Sequence, residues 1–175
     1  MDRRIKIFKW VFFSLMVAIN VFIIFQSCLP ATSSSQWSDV VVEVIENISG
    51  GSVTPSSKVT PSLTVSEFVR KAIGHFALFG IDGVISFFYF YFLDKERHFK
   101  YRWLYPILAL AVGIFVASLT EAIQLIIPGR YGDIIDVLLD VGGFVALGGI
   151  TYLIVLIINH HKNIKGTKLE NEASI

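Results

Sequence analysis

Residues 105–158 read YPILALAVGIFVASLTEAIQLIIPGRYGDIIDVLLDVGGFVALGGITYLIVLII: two apolar runs parted by Pro128-Gly129-Arg130 and a set of spaced aspartates. A helix needs about 20 apolar residues to cross the hydrocarbon core of a bilayer. The runs from Tyr105 to Ile127 and from Val137 to Ile158 both suffice. Ala72 to Leu93 and Ile7 to Phe25 also qualify. The chain is 54% hydrophobic and only 17% charged, with a mean hydropathy of +0.65, whereas soluble domains carry roughly 25% charge. The pattern predicts an all-α membrane protein, a four-transmembrane-helix bundle forming one domain over 1–175. Its spans are 7–25, 72–93, 105–127 and 137–158, with a loop at 27–67 and a tail at 159–175.

Four spans place both termini on one side, and the basic residues say which. Arg3, Arg4, Lys6, Lys9, Lys95, Arg97, Lys100, Arg102, Lys162, Lys165 and Lys168 flank one face, against Lys58, Arg70, Lys71 and Arg130 on the other. By the positive-inside rule the richer face is cytoplasmic, so the loop at 27–67 and the Pro128-Gly129-Arg130 turn lie outside. A cleaved signal peptide ending near Ser27-Cys28 is the alternative for the first span. The apolar run is longer than the usual ~7–15 residues, and Phe25-Gln26 is a poor approach to a lipid-modified cysteine. Within the loop, Trp37, Val40, Val41, Val44, Ile45 and Ile48 recur at helical spacing between Asp39, Glu43 and Glu46, as in an amphipathic helix on the membrane surface. Ser49 to Ser57 then reads as flexible linker. A formal net charge of +1 excludes a bulk basic field for nucleic acid. The single cysteine, Cys28, excludes an internal disulfide or a zinc knuckle.

Ionisable groups inside a membrane are costly, about 2.5–3.5 kcal/mol each at the bilayer centre on the insertion scale, and mark function by default. Lys71, His75 and Asp82 share one face of the second span at i, i+4 and i+11. His75 then lies about 6 Å below Lys71. A histidine bonded to a neighbouring helix for packing is the plainer reading of His75, and a polar partner across the bundle that of Asp82. On the third span Glu121 and Gln124 point the same way, with Glu121 about 9 Å beneath the outer surface. After the turn Asp133, Asp136 and Asp140 follow at i, i+3 and i+7. The first two are also suited to capping the helix they open; Asp140 is too far along. Gly142, Gly143, Ala146, Gly148 and Gly149 let another helix approach closely, which is expected to bring the third and fourth spans together. Lys71, His75, Glu121, Gln124, Arg130, Asp133, Asp136 and Asp140 thus converge within roughly 10 Å of the outer interface.

These residues resemble a known family. Lys71-x-x-x-His75, then Thr120-Glu121-Ala122-Ile123-Gln124 running to Pro128-Gly129-Arg130, then Asp133-x-x-Asp136-x-x-x-Asp140 with Gly143 and Gly148, look like the VanZ-like membrane proteins. The exit of the first span, Phe25-Gln26-Ser27, looks like that family's serine-containing segment. The resemblance covers most of the chain apart from the loop and the tail. It implies a four-helix protein of the bacterial plasma membrane and cell envelope, in a family whose namesake is associated with resistance to teicoplanin. The polar positions it carries over are Lys71, His75, Glu121, Gln124, Arg130, Asp136 and Asp140. The loop is long for the family, and Thr120 stands where many relatives carry an acid. No reaction comes with the resemblance.

Two classes of function follow. In the first, an outer-leaflet pocket binds, with or without modifying, an anionic membrane lipid or lipid-linked envelope precursor. Arg130 and Lys71 engage a phosphate, with Gln124 and Asp133 beside them. Glu121, Asp136 and Asp140 act as bases or as hard oxygen ligands for a divalent cation, and His75 shuttles protons. In the second, the protein is a non-enzymatic shield or a partner subunit whose ion pairs only hold the bundle, with a homo-oligomer open in either case. A transporter fits less well, because the cytoplasmic half carries few polar residues beyond Asp82.

Overall fold

The computed structural model describes residues 3–30, 70–98, 100–101 and 103–173. The surface helix expected between Trp37 and Ile48, the linker after it and the side chain of Lys71 lie outside the described residues. Among those described, all regular structure is helical: α1 (Arg3–Ser27), a π-helical stretch (Arg70–Ala77) running into α2 (Leu78–Arg97), α3 (Leu104–Gln124) and α4 (Ile134–Ala173). Four segments are long and apolar enough to cross a membrane: Arg3–Ser27, Gly74–Arg97, Leu104–Gln124 and Ile134–His161.

The helix ends follow local chemistry. α3 stops at Gln124, short of the Ile127 expected from hydropathy, because the backbone tightens ahead of Pro128. The N–H groups of Ile126 and Ile127 donate three residues back, to Ile123 and Gln124, in the manner of a 3₁₀ turn. Gly129 then takes a φ of 80°, open to glycine at little cost. α4 begins at Ile134, ahead of the expected Val137, because Asp133 caps it: its Oδ1 accepts the Ile135 N–H at 2.9 Å. The same helix continues to Ala173, through the stretch read as a tail.

α2 is the central element, packed by α1, α3 and α4. Its contact with α4 is backbone against backbone. A Cβ on Gly143 would lie 2.0 Å from the Phe76 carbonyl oxygen, and one on Gly83 2.4 Å from that of Phe144. α3 and α4 do pack together, as expected, but the closest seats made by the small residues of the fourth span are against the second. Gly143 and Gly148 meet Phe76 and Phe87 of the second span, while Gly142 and Gly149 meet nothing. The reason is complementarity: α2 offers Gly80 and Gly83 to that seam, whereas α3 offers Gly113, which receives the Phe144 ring. Ile23, Phe79, Phe87, Ala109, Val116, Ala117 and Phe144 form the core.

The two ends of the bundle differ. Near the start of α1, Phe8 stacks on Phe92, and Phe12 on Phe88 and Phe92, at centroid distances of 5.4, 5.0 and 5.7 Å. Lys9 donates to Glu96 at the same end. The opposite end, where α1 finishes and α4 begins, holds the polar groups.

Candidate functional site

His75 comes from the π-helical entry to α2, a geometry often found at functional positions. The seat of Gly143 under Phe76 brings that entry onto the first turns of α4, and Asp140 stands one helical turn before Gly143. The His75 Nδ1 therefore meets Asp140 Oδ1 at 2.9 Å. Its Nε2 faces Asp136 Oδ2 at 3.8 Å, so two carboxylates of α4, four residues apart on one face, bracket the ring. Asp140 is 0% exposed, and its second oxygen, Oδ2, has no hydrogen-bond partner among the described residues.

The third helix contributes Glu121, buried near the end of α3. One carboxylate oxygen accepts the Gln124 side-chain amide at 2.9 Å, and the other accepts the backbone N–H of Asp133 at 2.9 Å. Glu121 thus ties the end of α3 to the start of α4. It also belongs to the same cluster as the histidine pair: His75, Glu121 and Asp140 each offer a donor atom, all within 4.8 Å of one another. The three groups sit on three helices yet occupy one place.

Of the eight residues singled out in the sequence, six meet in one network. His75 bonds Asp140 directly and faces Asp136; Glu121 and Gln124 join them; Asp133 enters through its backbone while its side chain caps α4. Arg130 lies in the turn, and its Nη1 donates to the carbonyls of Gln26 and Leu29 at 3.2 and 3.1 Å. Arg130 thereby satisfies carbonyls left open where α1 ends. In the segment that carries the resemblance at the first span, Ser27 is buried and donates to the Ile23 carbonyl at 3.1 Å.

A second polar layer lies deeper. Asp82 is 0% exposed and accepts from the Asn20 amide at 3.1 Å and from Ser86 Oγ at 3.2 Å. This is the cross-bundle partner expected for Asp82, but Asn20 itself was not singled out. Its signal is an amide within the otherwise apolar run Ile7 to Phe25. Below this layer the aromatic end begins, with Tyr105 against Tyr91 and Tyr152 at 5.9 and 5.8 Å.

Chemically, a histidine held between carboxylates can take up or deliver a proton, and the mixed nitrogen and oxygen donors can ligate a cation. The rim of this end is apolar, since Leu125, Ile126, Tyr131, Ile134, Ile135 and Leu138 are all exposed. Comparisons with curated proteins and with solved structures gave no match. A family model described as VanZ/LLP1 matches residues 10–158, a span that holds all four helices' membrane-crossing cores and the whole polar network. The chain is therefore a member of the VanZ/LLP1 family.

Proposed function

We propose that this protein binds an anionic lipid or lipid-linked envelope component at the polar end of the bundle and acts on its headgroup by proton transfer. The reading is carried by the His75–Asp140 contact at 2.9 Å, buried in the bundle and gathered with Glu121 of a third helix. Asp140 orients the imidazole, and Nε2 is the nitrogen left to exchange a proton with Asp136 or with a bound headgroup. Arg130 supplies positive charge in the turn above. The exposed Leu125, Ile126, Tyr131 and Leu138 give a lipid its apolar approach.

In this reading the membrane is the bacterial plasma membrane, both termini are cytoplasmic and the site faces the outer leaflet, as the distribution of basic residues argues. On expression, altered glycopeptide susceptibility is the expected phenotype. With Cys28 replaced by serine, a cysteine at Ser57 should label with an impermeant thiol reagent in whole cells and one at Asn163 should not. The opposite labelling would move the site to the cytoplasmic face.

Native mass spectrometry of the detergent-purified chain tests the binding, by identifying lipid that travels with it. His75→Gln keeps hydrogen-bonding capacity but cannot carry a proton. It should retain the lipid and lose turnover. Arg130→Ala should lose the lipid.

One observation favours a second reading, a structural subunit whose polar groups serve cohesion. Glu121 is satisfied by Gln124 and Asp133, and Arg130 by α1 carbonyls. Glu121→Gln separates the two. A folded chain without phenotype or lipid supports the first reading, and a collapse in protein level supports the second.

A further inference from the structure

The cluster of His75, Asp136, Asp140 and Glu121 sets a difficulty for any anionic headgroup, because three carboxylates surround one imidazole. Like charges repel strongly where water is scarce. Asp140 adds a second difficulty of its own: it is fully buried, and its Oδ2 has no hydrogen-bond partner among the described residues. Buried polar atoms are ordinarily satisfied, and an orphaned carboxylate oxygen is a place where a donor or a cation belongs.

We propose that His75, Glu121 and Asp140 hold a first-row divalent cation, and that this ion receives the anionic group. The second half of the proposal rests on the lipid reading above; the first half does not. Geometry supports the ion. Two donors on a tetrahedral Zn²⁺, each at about 2.0–2.2 Å, stand about 3.3–3.6 Å apart. The three donor atoms here lie within 4.8 Å of one another, so closure onto an ion draws the widest pair together by no more than about 1.5 Å, which side-chain rotation can supply. The donors come from three separate helices fixed by the glycine seam and by the Glu121–Asp133 tie.

Donor chemistry narrows the metal. One imidazole nitrogen with carboxylate oxygens suits Zn²⁺ or Mn²⁺, whereas Mg²⁺ and Ca²⁺ take oxygen ligands alone. Asp136, 3.8 Å from His75 Nε2, stands where it can add a further oxygen or hold the ring. The deeper layer lacks this combination. Asp82 Oδ2 is likewise without a hydrogen-bond partner, but among the described residues its carboxylate bonds only an amide and a hydroxyl, so an orphaned oxygen there comes without the imidazole and second carboxylate that a cation site needs.

The test uses the full-length chain in detergent with His98, His160 and His161 changed to asparagine, so that His75 is its only histidine. After stripping with EDTA, Zn²⁺ and Mn²⁺ are each returned by dialysis and counted by elemental mass spectrometry. One tightly held ion per chain is expected, and the Mn²⁺ form should show electron-spin-echo modulation from one imidazole nitrogen. Glu121→Gln and Asp140→Asn should each weaken binding by about 100-fold or more, the upper end of what loss of an outer-shell partner does. Asp82→Asn should change nothing. Absence of a bound ion, absence of nitrogen modulation, or binding that survives both carboxylate variants would overturn the proposal. Should those variants fail to fold, the nitrogen modulation of the parent chain decides alone. Lipid is measured on the same samples: an ion without lipid upholds the metal site and removes the lipid reading, and lipid without an ion does the reverse.

Discussion

At one end of the bundle His75, Glu121 and Asp140 from three helices bring donor atoms within 4.8 Å of one another, with Asp136 3.8 Å from the imidazole; at the other, Phe8, Phe12, Phe88 and Phe92 stack at 5.0–5.7 Å. Each end joins helices: the phenylalanine stack ties α1 to α2, and the polar cluster ties the entry of α2 to α3 and α4. The aromatic end does so with groups that cost nothing to place in hydrocarbon. The polar end uses groups whose desolvation offsets much of their mutual attraction. Cohesion is available more cheaply from packing, so the charge cluster is poorly explained by cohesion alone.

The sharpest way to break this contrast is to remove one member of the buried pair. His75→Ala leaves Asp140 uncompensated and should destabilise the bundle by about 3–5 kcal/mol, measured by denaturant titration in bicelles. The double variant His75→Leu with Asp140→Leu should recover most of that loss, because apolar replacements often match a buried ion pair. A double variant no more stable than the single would show that the polar end does hold the helices, and the contrast would fall.

Next in size is the seam between α2 and α4. Gly143→Ala drives a methyl into the Phe76 carbonyl and should cost about 1–3 kcal/mol as overpacking. It should also displace His75, read as loss of any site activity, whereas Gly142→Ala, in open space, should leave both intact. At the aromatic end, Phe12→Ala should forfeit about 0.5–1.5 kcal/mol for each of its two ring contacts with no effect on lipid or metal content. Any change in either content would couple the two ends. The smallest effect is expected at Ser86→Ala, which deletes a hydrogen bond to Asp82 made within α2 and so removes no contact between helices; even bonds between membrane helices average only about 0.6 kcal/mol.

Hydropathy located the four helices because crossing a bilayer imposes length and composition directly. It misplaced their ends by a few residues because caps and tight turns, such as Asp133 on Ile135 and Ile127 on Gln124, are local events it does not sense. The site was legible for a related reason. Intramembrane charge is rare enough that His75, Glu121, Asp136 and Asp140 each stood out alone, and helical spacing put them at one depth. What spacing could not supply was azimuth between helices. The glycines of α4 were readable as a contact face but not as the face for α2, since that depends on the matching Gly80 and Gly83 across the seam. Asn20 was passed over because it is ionisable groups that mark function by default inside a membrane and its amide carries no charge, though it bonds Asp82 inside the bundle.

α4 carries Asp140, Gly143, Leu147 and Gly148 along one stripe, so the site and the seam are set by a single helical phase. Each residue added to a helix turns everything beyond it by about 100° and advances it by about 1.5 Å. One residue inserted between Asp140 and Gly143 would therefore swing the carboxylate off its histidine while leaving composition and hydropathy almost unchanged. The same insertion after His161, beyond the apolar span, would leave both the stripe and its partner in step. In this bundle the chemistry is held by rotational register.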